Sequence, residues 1–327
     1  MKSEKMYSVA IRKKQAQHDF FWNHEDYLFE ELNVDCQSRY WLADPFLFEK
    51  GGKVYVFYEA FDLISRKGLI GYSLIDGKRK KIPVHIILDK PYHLSFPNVF
   101  EHDGDIYMMP ETCENNTVKL FKATSFPEIW EENKLILPEV FACDSIILQD
   151  KSKNNYLLVN EMYRGETPTG NYSSCWVKNV CYKLNNSLQV IETGKLVAEG
   201  DCGIRNAGKS FYADSQLYRI GQNSPNKLYG KGLVLFEVES IEPYKEKLIW
   251  IKDSEVFGKH IIKFEDDEII GVHTYNFSEH YEVIDFSQIR KWRLATLILK
   301  KRQKVFDTIK YYLWAVVNKY KRVFCQG

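Results

Sequence analysis

The chain has 327 residues, 45% hydrophobic and 15% aromatic, which is ample for one large packed core. Its 45 Lys and Arg against 44 Asp and Glu give +1 overall, yet from Gln288 onward eleven basic residues face Asp307 alone, a net of +10 that leaves the preceding part at −9. A basic tail on an acidic body excludes a nucleic-acid footprint spread over a domain, and seven cysteines without C-x-x-C spacing exclude a zinc knuckle and a compact disulfide framework.

Met1-Lys-Ser-Glu-Lys5 lacks the apolar stretch of a signal peptide, so a reducing, cytoplasmic setting is expected. Tyr7-Ser-Val-Ala-Ile-Arg12 reads as a strand that completes the last blade of a closed ring, and residues 24–32 as a helical turn or two. A motif then recurs in which a polar residue leads into an apolar run, a turn follows, and a second run ends on another polar residue. Asp44 leads into Phe46-Leu-Phe48, Gly51-Gly52-Lys53 turns, and Val54–Tyr58 ends on Glu59, with outer strands at 69–74 and 84–88. Ser95-Phe-Pro97 leads through Val99-Phe100 and Asp103-Gly104 to Ile106–Met109 and Glu111, followed by the alternating strand 117–123. Asp144 leads through 146–148 to 156–159 and Glu161, with an outer strand at 175–182; Tyr163–Tyr172 is a connector or lid beside them. Arg205 leads through 210–212 to 217–218 and Gln222, with an outer strand at 232–238. The fifth copy reads His260–Phe264, Asp266-Asp267, Ile269-Ile270 and Val272-His273.

Five hairpins at a period of roughly 50 residues predict an all-β five-bladed propeller over residues 1–286. Its strand ends bring Asp44, Glu59, Glu111, Asp144, Glu161, Arg205, Gln222, His260 and His273 towards one axis. Clustered carboxylates suit glycosyl transfer, because like-charge repulsion keeps one protonated while another activates an acceptor. Arg205 would hold a neighbouring carboxylate ionised or grip a phosphate or sugar acid. His273 reads as a sugar contact or a hydrogen-bonded core histidine ahead of a metal ligand. Beyond Phe286 the apolar period turns helical, and residues 287–327 read as a basic amphipathic tail without ~18 uninterrupted apolar residues. Residues 288–325 are expected to lie on an anionic membrane with Trp292 and Trp314 as anchors.

Ala43-Asp44-Pro45-Phe46, His93–Pro97, Met108-Met-Pro-Glu111, Phe126-Pro127 with Trp130, Tyr218-Arg219 with Gln222, Tyr229-Gly230 and Gly271–Asn276 form one pattern over residues 7–286. It resembles bacterial relatives of the N-terminal domain of glucosamine inositolphosphorylceramide transferases, which are similar to the five-bladed propellers of glycoside hydrolase family 43. The resemblance implies that Asp44 is the general base and that Asp144 tunes and orients, with His93 and Arg219 joining the substrate contacts. The family's later Glu, the acid, has no counterpart, because Arg205 stands there; Glu111 or Glu161 would serve instead. No cofactor is assigned and no metal ligand is named, although the resemblance leaves a central calcium open. The function expected is a carbohydrate-active enzyme transferring a glycosyl group in surface polysaccharide or glycolipid assembly, peripheral on the inner membrane face. Its partner would be a sugar, nucleotide-sugar or lipid-linked glycan, and no nucleic acid. The alternatives are a family-43 type hydrolase and a non-catalytic sugar-binding propeller.

Overall fold

A computed structural model describes residues 3–16, 19–24, 29–35, 38–75, 81–167, 175–258, 262 and 269–324, with side chains to Trp314 except that of Lys227. Its strands form five antiparallel sheets, one per blade. Strands β1 (Ser3–Lys13) and β2 (Glu30–Glu31) belong to the last of them. Blade one is β3 (Tyr40–Lys50), β4 (Lys53–Asp62), β5 (Lys67–Ile75) and β6 (His85–Leu88). Blade two is β7 (Ser95–His102), β8 (Asp105–Thr112), β9 (Thr117–Ser125) and β10 (Ile129–Leu137). Blade three is β11 (Ala142–Gln149), β12 (Asn155–Met162), β13 (Val177–Leu184) and β14 (Lys195–Gly200). Blade four has β15 (Cys202–Asn206) and β16 (Phe211–Ala213) beside β17 (Gln216–Asn223), then β18 (Gly232–Ile241) and β19 (Tyr244–Asp253). Blade five is β20 (Tyr275–Phe277), β21 (Tyr281–Lys291), β1 and β2.

The N-terminal strand closes the ring as its sequence predicts. It pairs with β21 from Ser3↔Lys291 to Lys13↔Tyr281, joining the two ends of the chain and removing an exposed edge. The blades pack through flat side chains: Phe46, Phe57, Phe96 and Phe121 are all fully buried in one shared cluster. Phe21, Phe257, Tyr275 and Phe286 fill another between blades four and five.

Four sequence expectations change. Glu30–Glu31 is a strand against β1, not part of a helix; residues 25–28 lie outside the described residues. The inner strand of blade five is Tyr275–Phe277, whereas Val272 and Gly271 make only single bridges, and His260 lies outside the described residues. Gly271 explains part of this. A Cβ there would stand 2.4 Å from the Gly230 carbonyl, so the segment is pressed against blade four rather than built into a hairpin. The propeller also runs past Phe286: β21 continues to Lys291, and one helix follows at Leu294–Phe324. Trp292 is not a membrane anchor but is buried with Met6 and Leu63.

One backbone device repeats in the inner strands. Ala43 pairs with Glu59 and Phe46 with Phe57, so β3 carries one extra residue, a bulge at Asp44-Pro45. The same slip separates Ser95 from Asn98 on β7 and Cys143 from Ile146 on β11. Blade four carries a wider one between Cys202 and Asn206. The first bulged residue is left-handed each time: Asp44 (φ 49°), Phe96 (φ 46°), Asp144 (φ 42°) and Gly203 (φ 74°). Asp tolerates that region better than most residues, and the bulge re-aims its side chain out of the sheet alternation.

Candidate active site

The bulges of blades one and three deliver Asp44 and Asp144 into a buried polar cluster at the axis. Asp44 is fixed from two neighbouring blades: Phe96 N donates to Oδ2 at 3.2 Å and Thr274 Oγ1 to Oδ1 at 2.6 Å. Its own amide donates to Asp285 Oδ2 at 3.0 Å. Asp285, on β21, also accepts the amides of His273 and Thr274 at 3.0 Å each. His273 is held between the two carboxylates, with Nδ1 2.6 Å from Asp285 Oδ2 and Nε2 3.6 Å from Asp44 Oδ1. Tyr7 stacks on its ring at 4.6 Å and Tyr229 meets it edge-on at 5.2 Å.

The second half of the cluster centres on Asp144. Arg205 Nε binds its Oδ2, and Gln222 Nε2 donates to the same oxygen at 3.2 Å. Arg205 Nη2 lies 3.6 Å from Glu111 Oε2, and its guanidinium sits 5.0 Å over the Tyr229 ring. Asn206 ties the pair of blades together, donating from Nδ2 to the Asp144 carbonyl at 2.8 Å while its amide donates to Asn160 Oδ1 at 2.7 Å.

At one side Glu59 meets His93, Nε2 to Oε1 at 3.3 Å. The Gly68 amide donates to His93 Nδ1 at 3.0 Å, so that nitrogen is the acceptor and Nε2 carries the proton towards Glu59. Only glycine fits at 68: a Cβ would fall 2.7 Å from both Glu59 Oε1 and the His93 ring.

Burial decides the electrostatics. It raises Asp44 from 3.8 to about 6, with Asp144 and Asp285 adding to the rise while His273 opposes it. Burial likewise pushes Glu111 well above the carboxylate range, helped by Asp144 and opposed by Arg205. Glu59 is raised well above it too, by burial and then by Asp44. Burial by itself would lower His273, but Asp285 and Asp44 outweigh it and hold the imidazole above its ordinary value. The cluster therefore sets Asp44, raised to about 6, beside a Glu111 that holds its proton more tightly than an exposed carboxyl does, an unequal pair suited to acid–base chemistry.

A central calcium does not fit these residues. Asp44, His273 and Asp285 approach one another closely enough to share an ion. Yet calcium takes six to eight oxygen ligands, and this grouping offers two carboxylates with an imidazole already paired to one of them. The second grouping within the cluster, Glu111, Cys143 and Asp144, has the Arg205 cation bound to it.

Eight of the ten expected site residues thus meet: Asp44, Glu59, His93, Glu111, Asp144, Arg205, Gln222 and His273. Glu161 does not. Glu59 pairs with Ala43 and Glu111 with Ser95, each beside the bulge; in blade three the equivalent partner of Cys143 is Asn160. Glu161 is one residue further along, so it falls on the opposite face, where it accepts Tyr182 OH at 2.8 Å. Arg219 is also elsewhere. Fully buried within blade four, it donates to both oxygens of Glu246 at 2.9 and 2.7 Å and to the Gly203 carbonyl at 2.8 Å. Asp285 was not anticipated, although an acid inside the apolar run Tyr281–Phe286 is the same signal that marks Asp44.

Among solved structures, the chain is similar to the catalytic domain of a GH62 alpha-L-arabinofuranosidase from Coprinopsis cinerea, with a TM-score of 0.57 and 9% identity over 81% of this chain and 97% of that one. It is also similar to an exo-1,5-alpha-L-arabinanase from a bovine ruminal metagenomic library, with a TM-score of 0.51 and 13% identity over 79% and 94%. At these identities the likeness is one of fold. In sequence it is similar to glucosamine inositolphosphorylceramide transferase 1 of Arabidopsis thaliana, 33% identical over 222 residues, 63% of this chain and 26% of that protein. The protein of that name from Oryza sativa subsp. japonica is 30% identical over 223 residues, 63% and 27%. The chain spans about a quarter of the length of these curated relatives. The family model for glucosamine inositolphosphorylceramide transferase 1, N-terminal, matches residues 31–257, and the chain, a five-bladed propeller with its polar cluster on the axis, belongs to that family.

Proposed function

We propose that this propeller is a carbohydrate-active enzyme that transfers a glycosyl group during assembly of a surface polysaccharide or glycolipid. The observation that carries the reading is Glu111: a half-buried carboxyl whose hold on its proton is strengthened by desolvation and by Asp144, with Oε2 3.6 Å from Arg205 Nη2 and Arg205 holding the adjacent Asp144. In the step envisaged, an acceptor hydroxyl attacks the anomeric carbon and gives its proton to Asp44. The bond to the leaving oxygen breaks, and Glu111 protonates that oxygen. Arg205 and Gln222 hold Asp144 in place beside Glu111, and Asp144 adds to the rise in the affinity of Glu111 for its proton. The named activity of the plant relatives supports transfer over hydrolysis, and so does Arg205 at the position where the resemblance to family 43 implies an acid.

The test is incubation of the full chain with nucleotide-sugar donors and glycan acceptors, and separately with neutral oligosaccharides, with products read by mass spectrometry. Asp44→Asn and Glu111→Gln should each lower the transfer rate about 10²–10⁴-fold with the fold intact. Cleavage of neutral oligosaccharides without transfer would make the protein a hydrolase. Binding without turnover would make it a sugar-binding module, and unchanged rates in both variants would remove catalysis from this cluster.

A further inference from the structure

The C-terminal helix leaves the body with its apolar side chains uncovered. Its base is fixed: Trp292 is buried with Met6 and Leu63, Thr296 Oγ1 donates to the Ser38 carbonyl, and Lys300 Nζ lies 4.8 Å over the Trp292 ring. Beyond that base, packing stops. From Leu294 to Trp314, ten large apolar side chains are between 37% and 73% exposed, among them Ile298, Val305, Phe306 and Ile309. Leu294, Ile298, Val305, Ile309 and Tyr312 recur at helical spacing and so share one face. Over the whole helix the sequence supplies eight Lys and Arg against one acid, Asp307. Among the described residues no helix is long and apolar enough to cross a membrane.

The helix also leaves from a particular end of the propeller. Tyr40 pairs with Asp62, and the turn beyond Asp62 holds Leu63, against which Trp292 packs. This is the end nearer Glu59 and His93, and His93 is the most exposed member of the cluster. The far end of the same strands is the turn at Gly51-Gly52.

We propose that this helix lies along an anionic bilayer and turns the site-bearing end of the propeller towards that surface, so that the glycan it handles is membrane-borne. The substrate clause rests on the transfer reading above; the docking does not. Charge complementarity selects the occupant. A second copy would bring another basic helix against this one, whereas each Lys or Arg near an anionic surface strengthens partitioning about fivefold. The rest of the chain, at −6 once the +7 of the helix is set aside, adds no net attraction of its own and leaves the helix as the attaching element.

The experiment is sedimentation of the full chain with phosphatidylcholine vesicles, with and without phosphatidylserine, beside the variant Lys301→Gln/Arg302→Gln/Lys304→Gln/Lys310→Gln. Phosphatidylserine should strengthen partitioning at least tenfold, and the variant should lose about a hundredfold or more, with the wild type weakened by salt. Val305→Ser/Ile309→Ser, on the apolar face, should weaken it as well. Equal partitioning of wild type and the charge variant would overturn the docking, as would a helix-dependent dimer in sedimentation velocity that ignores vesicles. Hydrogen exchange on the vesicle-bound chain reads the orientation. Protection at residues 38–40 and 63–66 but not at 50–53 is expected, and the reverse pattern would overturn it. Loss of turnover in Asp44→Asn with vesicle binding intact separates a failed site from a failed docking surface.

Discussion

Asp44→Asn should stabilise the fold at alkaline pH while it removes activity. Asp44 is raised from 3.8 to about 6 chiefly by burial, so the folded protein binds its proton more tightly than the unfolded chain. The sign follows from linkage. Stability is greatest below about 3.8 and is lost progressively as pH climbs to about 6, for a total of about 3 kcal/mol. An amide does not titrate and escapes that loss. It also suits the site: Asn accepts the left-handed backbone at φ 49° as readily as Asp. Its oxygen can take the Phe96 amide while its NH₂ donates to the Thr274 hydroxyl, which rotates to accept. Loss of the attraction to His273 offsets part of the gain, so a net of about 1–3 kcal/mol at pH 8 is expected, shrinking by about 1 kcal/mol at pH 5. Urea unfolding of both proteins at the two pH values measures it. A variant less stable than wild type at pH 8, or a gap that widens towards pH 5, would refute the placement of Asp44 as a buried, reluctantly ionised carboxylate.

Two other outcomes follow from the same contacts. Asp285→Asn should lower the His273 pKa, since Asp285 contributes most to raising it, and imidazole proton shifts in NMR titration would report the change; an unmoved titration would detach His273 from Asp285. Arg219→Met should cost about 1–3 kcal/mol in urea unfolding by taking the cation from a half-buried Glu246, which keeps the Tyr244 hydroxyl, and the donor from the Gly203 carbonyl, with substrate affinity unchanged in the molecules that remain folded. A variant of full stability that loses substrate would return Arg219 to the site.

The blades were legible because each repeats a polar residue, an apolar run and a turn, and because strands four and more residues long print a period of two. Blade five was the exception. Its inner strand is only Tyr275–Phe277, too short to show a period, while Ile269–Val272 offers an apolar run that meets β21 only at Gly271↔Ser287 and blade four only at Val272↔Lys231. Trp292 was misplaced for a related reason. A tryptophan next to a basic helix has the composition of an interfacial anchor, and only the β1–β21 pairing reveals that Met6 and Leu63 wait beneath it.

In the site, residue type could be read but facing could not. Glu59, Glu111 and Glu161 look alike in sequence, each an acid at the end of an apolar strand. Which way an acid points depends on its register against the bulge, and a slip of one residue reverses it. Cys143 pairs with Asn160, so blade three presents an amide where blades one and two present carboxylates, and that amide serves the backbone of blade four. The bulge itself leaves little trace in sequence, because its left-handed residue is Asp in two blades, Phe in the second and Gly in the fourth. The backbone thus repeats around the ring while the side chain on it changes. Blades one and three spend the bulge on carboxylates, and blade two spends it on Phe96, whose amide fixes Asp44 and whose ring fills the core. Blade four uses Gly203 to swing Arg205 onto Asp144. In blade four the bulge thus carries a cation rather than an acid, and that cation binds Asp144 and lies 3.6 Å from Glu111.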